Sequence, residues 1–312
     1  MTLSRLTLWN LPLQKLDGKM LIPIVFSTDH NFVTPTCVTI CSLLKTSLPD
    51  TRFSINILAN PDVTEEDRNA IKRQVKVSNR VSELNFVDMG RVFEKGYETR
   101  GISTACYSRL LIPWLLPQFD KVIYSDVDII YKGDISDVFS IDLENHPVAG
   151  VTGEIWNKGL IRKYLVGKGL TPESYVNSGF LLINCKLQRE ENLREKYLEL
   201  VKEKFVYQDQ DIINIACKGR IYLIEGKYNV KPSIAAGESS DVRLIHFIGL
   251  KPWQYFTYCW DDWWSVCKES EVFNPKEYKK LCAGILSLTS RCRILKKQVS
   301  ENIKFRFKLL SH

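Results

Sequence analysis

The chain has 312 residues, of which 45% are apolar and 25% are charged, which fits a globular protein of one large or two modest domains and excludes disordered or collagen-like chains. Its formal net charge is +7, but the last 29 residues contribute +6 of this, through seven basic residues and one acidic residue. Because the first 283 residues are nearly neutral, a nucleic-acid-binding protein with a basic body is excluded.

From residue 20 onward, short apolar runs alternate with longer helical patterns, as expected for a mostly parallel sheet covered by helices. Strands are predicted at 21–28, 52–59, 84–87, 120–130 and 179–184. Helices are predicted at 37–45, after the cap-like Thr64, at 102–116, at 186–205 and from Asp209 onward. We therefore predict an α/β fold with a leader segment at 1–19, one domain at 20–252 and a carboxy-terminal extension at 253–312.

Cysteine usage and the length of the apolar runs predict a cytoplasmic location. The nine cysteines are an odd number without a Cys-x-x-Cys pair, which is typical of reduced, mostly buried thiols, and the histidines stand apart from them. Apolar stretches such as 110–117 are far shorter than the roughly 20 residues that span a bilayer. The first residues are too polar for a signal peptide.

Two aspartates, Asp126 and Asp128, occur at the end of the predicted strand 120–130. If strand geometry persists, both carboxylates point to the same side of the sheet, at the edge where open α/β sheets bind ligands. They would then offer two oxygen ligands to one divalent cation. The alternative is a pair of polar residues that only end a strand, since Asp-x-Asp also arises by chance.

A second polar cluster, formed by Asp209, Gln210 and Asp211, begins a helical pattern. Carboxylates at a helix start cap free amides and interact favourably with the helix dipole, which alone could explain the two aspartates. The functional alternative places the cluster opposite the metal, in contact with a sugar hydroxyl or a developing positive charge.

His246 follows an apolar run and precedes Gly249 and Lys251. The histidine is either a hydrogen-bonded structural residue or a third metal ligand, and an imidazole beside two aspartates would favour Mn²⁺ over Mg²⁺. Lys251 is either a solvated surface charge or a group that neutralises a phosphate, which Gly249 would allow to approach the backbone closely.

Six motifs occur in a fixed order: PIVFSTDHNF at 23–32, YSRL at 107–110, YSDVDII at 124–130, VNSGFLLIN at 176–184, YQDQDIIN at 207–214 and HFIGLKPW at 246–253. This series resembles glycosyltransferase family 8, which includes bacterial lipopolysaccharide α-galactosyl- and α-glucosyltransferases and glycogenin. The similarity spans about residues 22–264, and the order of six motifs makes it more specific than any one of them. It implies a GT-A type nucleotide-sugar-binding domain.

The resemblance also implies a role for each matching residue. The implied nucleotide-binding residues are Asp29, Asn31, Phe32, Asp126, Gly249 and Lys251. The implied sugar-binding residues are Arg109, Glu154, Asn177, Gln210 and Asp211. The implied metal ligands are Asp126, Asp128 and His246. The implied catalytic residues beside the anomeric carbon are Asp209, Gln210 and Asp211. One departure is that a single residue separates Gly249 from Lys251, whereas family members commonly have two there.

The activity implied by the resemblance is a retaining transfer of galactose or glucose from UDP-galactose or UDP-glucose to a glycan or lipid-linked saccharide. Mn²⁺ is the implied cofactor, with Mg²⁺ as the alternative. Two other functions stay open: a metal-dependent phosphatase or phosphotransferase with an aspartate nucleophile, and a non-catalytic nucleotide-sugar-binding protein. The first usually carries its Asp-x-Asp strand near the start of the fold, unlike this chain.

The carboxy-terminal extension combines an aromatic segment at 253–264 with a basic tail. The aromatic residues either pack against the main domain or contact acceptor sugars or lipid. An apolar stripe with basic residues beside it continues from Leu281 to Val299, which is typical of a helix lying on an anionic membrane. We predict peripheral association with the inner face of the plasma membrane through 281–310. The alternative is a tail packed on its own domain or on a second subunit.

Overall fold

The fold was analysed in a computed structural model that describes residues 15–16, 19–90, 104–153, 159–237 and 241–286. Within these ranges the strands are β1 (Lys15–Leu16), β2 (Lys19–Thr28), β3 (Thr51–Ala59), β4 (Val81–Asp88), β5 (Lys121–Ser125), β6 (Ile129–Tyr131), β7 (Val148–Thr152), β8 (Val176–Asn184), β9 (Ile221–Leu223) and β10 (Leu244–His246). The helices are α1 (Val33–Thr46), α2 (Glu65–Lys76), α3 (Ile112–Leu115), α4 (Ser136–Ser140), α5 (Gly159–Gly167), α6 (Cys185–Glu190), α7 (Leu193–Leu200), α8 (Asp209–Ala216), α9 (Pro232–Ala235), α10 (Trp260–Glu269) and α11 (Pro275–Leu286).

The main sheet has the strand order β4-β3-β2-β5-β8-β7-β9, with β1 paired to β2, and the ribbon β6-β10 lies outside it. Strands β4, β3, β2 and β5 are parallel to one another, and β8 runs antiparallel to both of its neighbours, β5 and β7. The predicted α/β fold with a mostly parallel sheet flanked by helices is confirmed. The carboxyl ends of β2, β3 and β5 therefore share one edge, where ligands bind in folds of this kind.

Both faces of the central strands are buried, which explains their almost continuous apolar sequence. In β2, Ile24 and Phe26 pack with α1 and its neighbours in one apolar cluster, while Val25 packs on the opposite face with Tyr124 and Leu181. Burying a side chain of this size stabilises the fold by roughly 1.5–3 kcal/mol, so the two clusters hold the sheet rigidly behind its carboxyl edge.

The predicted start of α2 is confirmed by a reciprocal cap. The Asp67 amide donates to Thr64 Oγ1 at 3.2 Å, and the Thr64 amide donates to Asp67 Oδ2 at 2.9 Å. Two amides that lack partners at a helix start are thereby satisfied.

The predicted single strand 120–130 is wrong, because the chain breaks between β5 and β6. The Asp126 amide donates to the Gly179 carbonyl at 2.7 Å, and Thr39 Oγ1 lies 2.8 Å from the carbonyl oxygens of both Val127 and Ile129. The first is the last backbone bond from this segment to β8, and beyond it the Thr39 hydroxyl takes the place of a neighbouring strand. The two aspartates thus lie in a turn between two sheets and not on one face of a strand.

Two predicted helices also differ from the structure. The segment 186–205 divides into α6 and α7, because Asn192 adopts a left-handed conformation with φ of 51°. Residues 104–111 form a tighter 3₁₀ helix that leads into the short α3, where Pro113 stands in the first turn. Both differences shorten helices whose apolar spacing suggested longer ones.

The described part of the extension packs on the main domain. Trp260, Trp263 and Trp264 of α10 are buried against residues of α1, β6 and β10, and Leu281 of α11 joins them. The packing interpretation of the aromatic segment therefore holds for these tryptophans, although Phe256 and Tyr258 are 60% and 64% exposed. Residues 287–312, with most of the predicted stripe, lie outside the described residues. In the described part, no helix has the length and apolar character needed to cross a bilayer.

Candidate active site

Asp126, Asp128 and His246 come together at the carboxyl edge of the main sheet. One ligand atom from each lies within 4.8 Å of the others. His246 Nε2 is 3.1 Å from Asp128 Oδ1 and 3.7 Å from Asp126 Oδ2. Asp128 and His246 are buried, while the Asp126 side chain is 25% exposed and leaves the cluster open on one side.

The ribbon β6-β10 brings the histidine to the aspartates. Its antiparallel register places His246 opposite Ile129, and the Phe247 amide donates to the Asp128 carbonyl at 2.9 Å. The break after β5 is therefore what allows β6 to leave the main sheet and pair with the strand that ends in His246.

The three side chains fit a divalent transition-metal ion. His246 Nδ1 is 2.8 Å from Asn229 Oδ1, which directs Nε2 toward the carboxylates as in histidines that bind metals. Two carboxylates and one imidazole suit Mn²⁺ better than Mg²⁺, which prefers oxygen ligands and water. The structural alternative for His246, a hydrogen bond from Nε2 to Asp128, fits the same 3.1 Å contact, so the two roles are distinguished by metal binding.

Gly179 of β8 gives the cluster its space. A Cβ atom at this position would lie 2.2 Å from His246 Cε1 and 2.7 Å from Asp126 Oδ2. Only glycine allows this approach, because atoms at such distances overlap. Sequence reasoning missed Gly179 as a site residue, although a glycine inside an apolar strand is a signal of close approach.

Lys251 also belongs to the site. Its ammonium donates to Asp128 Oδ2 and, at 2.8 Å, to the Phe247 carbonyl. Burial disfavours the charged form of Asp128, but the charges of Lys251 and His246 outweigh burial and hold the pKa of Asp128 below its usual value. Gly249, which lies between His246 and Lys251 in the sequence, has a left-handed φ of 93°, and no atom lies within 4 Å of where its Cβ would be.

Arg109 joins the two acidic clusters. Its Nη2 is 3.0 Å from Asp126 Oδ1, its Nε is 3.2 Å from Asp209 Oδ2, and its Nη1 donates to the Ser178 carbonyl at 2.8 Å. Only 8% of the side chain is exposed. In this conformation most of its donors are used inside the protein, so the predicted sugar-binding role of Arg109 gains less support than a role in holding carboxylates.

Asp209 and Gln210 begin α8, directly after Gln208, whose φ of 47° and ψ of −119° are strained for a residue other than glycine. Burial raises the pKa of Asp209, and the nearby Arg109 charge opposes the rise. Gln210 Oε1 accepts from Asn177 Nδ2 at 2.8 Å. Gln210 Nε2 lies near the Tyr175 hydroxyl but makes no well-formed hydrogen bond within the described residues, although it is buried. The strained turn thus sets these two side chains beside the predicted sugar residue Asn177.

Asp211 is surrounded by protein donors. Tyr175 donates to Oδ1 at 2.6 Å, and Tyr164 and the Tyr207 amide donate to Oδ2 at 2.7 and 2.8 Å. The residue is fully buried, and burial together with Asp211 raises the pKa of both tyrosines. These contacts favour a structural role for Asp211 over the predicted catalytic and sugar-binding roles.

The predicted nucleotide residues lie at the end of β2, next to β5. Asp29 Oδ1 accepts from the Phe32 amide at 3.1 Å, and burial and Asp62 raise the pKa of Asp29. Asn31 is exposed, and the half-buried Phe32 ring contacts Trp253 edge to face at 5.8 Å between ring centres. Glu154, predicted to bind sugar, lies outside the described residues.

The fold and the site together define an α/β protein of the GT-A type. At its carboxyl edge, a candidate metal-ligand cluster lies beside a buried amide and carboxylate cluster. This is the architecture of nucleotide-sugar-dependent glycosyltransferases, and the crystal structure of the galactosyltransferase LgtC in complex with donor and acceptor sugar analogues has the same fold. It aligns with a TM-score of 0.69 and 24% identity, covering 83% of this chain and 100% of LgtC.

Sequence comparison gives the family directly. The model of glycosyl transferase family 8 matches residues 23–257, so the chain belongs to glycosyltransferase family 8. Family membership favours the transferase interpretation over the phosphatase alternative.

Two relatives cover different shares of the chain. The lipopolysaccharide 1,3-galactosyltransferase of Salmonella typhimurium is 26% identical over 301 residues, which are 90% of this chain and 83% of the relative. A protein of Haemophilus influenzae assigned as a glycosyltransferase is 27% identical over 226 residues, which are 67% of this chain. The chain spans 63% of the length of that second relative.

Proposed function

We propose that this protein is a retaining hexosyltransferase that moves galactose or glucose from a UDP-sugar to a hydroxyl of lipopolysaccharide or another cell-surface glycan. The observation that carries the proposal is the cluster of Asp126, Asp128 and His246, joined through Arg109 to Asp209, the residue before Gln210. The proposed metal side of the site, at Asp126, and its proposed sugar side, at Asp209, thus both contact the guanidinium of Arg109. The galactosyltransferase relative from Salmonella supports lipopolysaccharide as the acceptor class.

The leaving diphosphate would be bound at the metal side of the site. A divalent cation held by Asp126, Asp128 and His246 would supply the positive charge that stabilises the departing diphosphate. Lys251, which already lies against Asp128, adds a second positive charge next to that position. Gly249 leaves the backbone open beside it, so the diphosphate can approach without meeting a side chain.

The transferred sugar would lie over the amide side of the site. Asn177 and Gln210 are hydrogen-bonded to each other at 2.8 Å and provide amide groups for sugar hydroxyls. The carboxylate of Asp209, held by Arg109 at 3.2 Å, supplies negative charge toward an anomeric carbon that becomes positive as the bond breaks. Asp29, Asn31 and Phe32 would hold the uridine at the end of β2.

The direct test is release of UDP. The protein is incubated with Mn²⁺ and a panel of UDP-hexoses, with and without lipopolysaccharide cores, and UDP and the anomeric configuration of the product are measured. We expect UDP release with one hexose above the others, stimulated by acceptor, and a product with retained configuration. Tight UDP-sugar binding without release would favour the non-catalytic alternative, and phosphate release from phosphomonoesters would favour the phosphatase.

We further propose that residues 281–310 hold the enzyme at the anionic inner face of the plasma membrane, where a lipid-linked acceptor is available. The +6 charge of the last 29 residues supports this, since each basic residue near such a surface contributes about 1 kcal/mol. A full-length variant with Arg291, Arg293, Lys296 and Lys297 changed to Gln should lose more than about tenfold of its binding to anionic vesicles. Unchanged sedimentation of this variant would disprove the proposal.

A further inference from the structure

We propose that Asn229 is a positioning residue that fixes the direction of a chain of side-chain hydrogen bonds running from His246 to Gln210. The inference rests on the proposed function in one respect, namely that Asp126, Asp128 and His246 bind a divalent cation. The orientations of His246 on the metal side and of Gln210 on the sugar side would then both depend on one asparagine that contacts neither the cation nor the donor.

Four side chains form the relay. His246 Nδ1 is 2.8 Å from Asn229 Oδ1, and Asn229 Nδ2 donates to Asn177 Oδ1 at 2.9 Å. Asn177 Nδ2 in turn donates to Gln210 Oε1 at 2.8 Å. The relay thus crosses from β10 through β8 to the first turn of α8.

Two backbone amides determine which way each side-chain amide faces. The Gly179 amide donates to the Asn177 oxygen at 3.0 Å, and the Ser178 amide donates to the Gln210 oxygen at 3.3 Å. A backbone N–H can only donate, so both contacted atoms must be oxygens. With its oxygen toward Gly179, Asn177 requires a donor from Asn229, and Asn229 must then turn its oxygen to His246.

The direction of Asn229 decides which nitrogen of His246 is available to a cation. An oxygen facing Nδ1 keeps a proton on that nitrogen, so Nε2, which lies 3.1 Å from Asp128 Oδ1, is the nitrogen that a cation would take. A reversed asparagine would present N–H groups to Nδ1 and would leave the imidazole proton on Nε2, where it would block the cation. The relay therefore fixes the histidine in the orientation that a metal ligand needs.

Asparagine is the side chain this position requires. It must accept from His246 and donate to Asn177, and an aspartate could do only the first. The backbone holds it in place: Val230, the next residue, donates to the Leu244 carbonyl at 3.0 Å and accepts from the His246 amide at 2.8 Å. These two bonds hold Asn229 in a fixed position relative to β10, which carries His246.

The test uses two substitutions that separate the two contacts of Asn229, in the full-length protein. Asn229→Ala removes both contacts, so we expect partial loss of the proton on His246 Nδ1 in metal-free ¹⁵N NMR spectra and a Mn²⁺ dissociation constant raised about 10- to 100-fold. Asn229→Asp keeps the acceptor, so Nδ1 should stay protonated and the Mn²⁺ affinity should stay within a few-fold of wild type. Because it cannot donate to Asn177, its UDP release should fall on the order of tenfold.

Asn85→Ala is the matched control, since Asn85 is a half-buried asparagine that donates to Asn56 at 3.2 Å on the far side of the sheet. It should leave the Nδ1 proton, the affinity and the rate unchanged. An unprotonated Nδ1 in the wild type, or equal Mn²⁺ loss in both Asn229 variants, would overturn the inference. If Asn229→Ala does not fold, the protonation of Nδ1 in Asn229→Asp decides. If the wild type binds no Mn²⁺ at all, the cation assignment of the proposed function fails, and the protonation of Nδ1 still tests the relay.

Discussion

The two Asp-x-Asp pairs at this edge of the sheet differ in burial and in hydrogen-bond partners. Asp126, which accepts from the Tyr124 hydroxyl, is 25% exposed, and the more buried Asp128 beside it faces His246 and Lys251. Asp211, in contrast, is fully buried and receives two tyrosine hydroxyls and a backbone amide. Asp209 is intermediate, since it is buried but is paired with Arg109.

The difference separates carboxylates that can exchange partners from carboxylates that cannot. Lys251 is one flexible cation, and a metal ion can share or replace its contact with Asp128. The tyrosines around Asp211 are buried, and breaking their contacts would leave unsatisfied polar groups. The same Asp-x-Asp pattern therefore fits the proposed metal site in one case and a structural anchor in the other.

The largest effect that this comparison predicts is for Asp128→Asn. Removing one carboxylate from the metal cluster should lower the rate of UDP release on the order of a hundredfold or more and weaken Mn²⁺ binding, while the protein stays folded. Asp120→Asn is a suitable control, because Asp120 lies on the surface just before β5 and pairs with Arg189 at 2.9 Å. Full activity of Asp128→Asn with a chelator present would contradict the metal assignment.

Gly179→Ala tests the space around the same cluster. The added methyl group must displace His246 or Asp126, so we expect Mn²⁺ affinity and activity to fall about 10- to 100-fold, with a stability loss of about 1–3 kcal/mol from overpacking. Gly167→Ala, at a position with no atom within 4 Å of the new Cβ, should change neither. Normal Mn²⁺ affinity in Gly179→Ala would mean that the cluster is looser than the contacts indicate.

Asp211→Asn tests the other side of the comparison. We expect a loss of about 1–3 kcal/mol in unfolding free energy, because a buried acceptor of three hydrogen bonds is changed, and Tyr175→Phe should lose about 1 kcal/mol. Both losses are measured by chemical denaturation. The rate should fall less than in Asp128→Asn. A hundredfold fall in rate with unchanged stability would instead support a catalytic role for Asp211.

The smallest effect should come from a surface pair that belongs to neither cluster. Hydrogen bonding and charge from Asp67 raise the pKa of the exposed His30. A raised folded-state pKa means that the pair stabilises the protein fully below the unfolded pKa of about 6.5 and loses this effect as pH rises through the folded value. The difference in melting temperature between wild type and His30→Ala should therefore be largest at acid pH and vanish at alkaline pH. A difference that grows with pH would show that the pair is not formed.

The sequence predicts which three residues lie close together better than it predicts the reason. The family resemblance implies Asp126, Asp128 and His246 as a set, whereas the geometric argument for the two aspartates assumes a strand that continues to residue 130. The strand instead ends at Ser125, and beyond it the Thr39 hydroxyl contacts the Val127 and Ile129 carbonyls. No local pattern reveals such contacts, since Thr39 is distant in sequence.

The role of Asp211 also could not be predicted from its local sequence. Its position at a helix start is visible in the sequence, but its two tyrosine partners come from segments 36 and 47 residues away. Asn229 has no signal in the sequence at all, because its importance lies only in the orientation that Gly179 and Asn177 impose on it.

By itself, the sequence determined the α/β class, the series of strands that form the parallel half of the sheet, the helix starts at Thr64 and Asp209, and the concentration of charge in the last 29 residues. These depend on hydrophobic periodicity, capping groups and composition, which act between near neighbours. Only the tertiary structure decided that one strand becomes two, that Gly179 makes room for His246, and which acidic pair is open to a cation. Those outcomes depend on contacts between residues far apart in the chain, where burial and the available hydrogen-bond partners fix the role of each carboxylate.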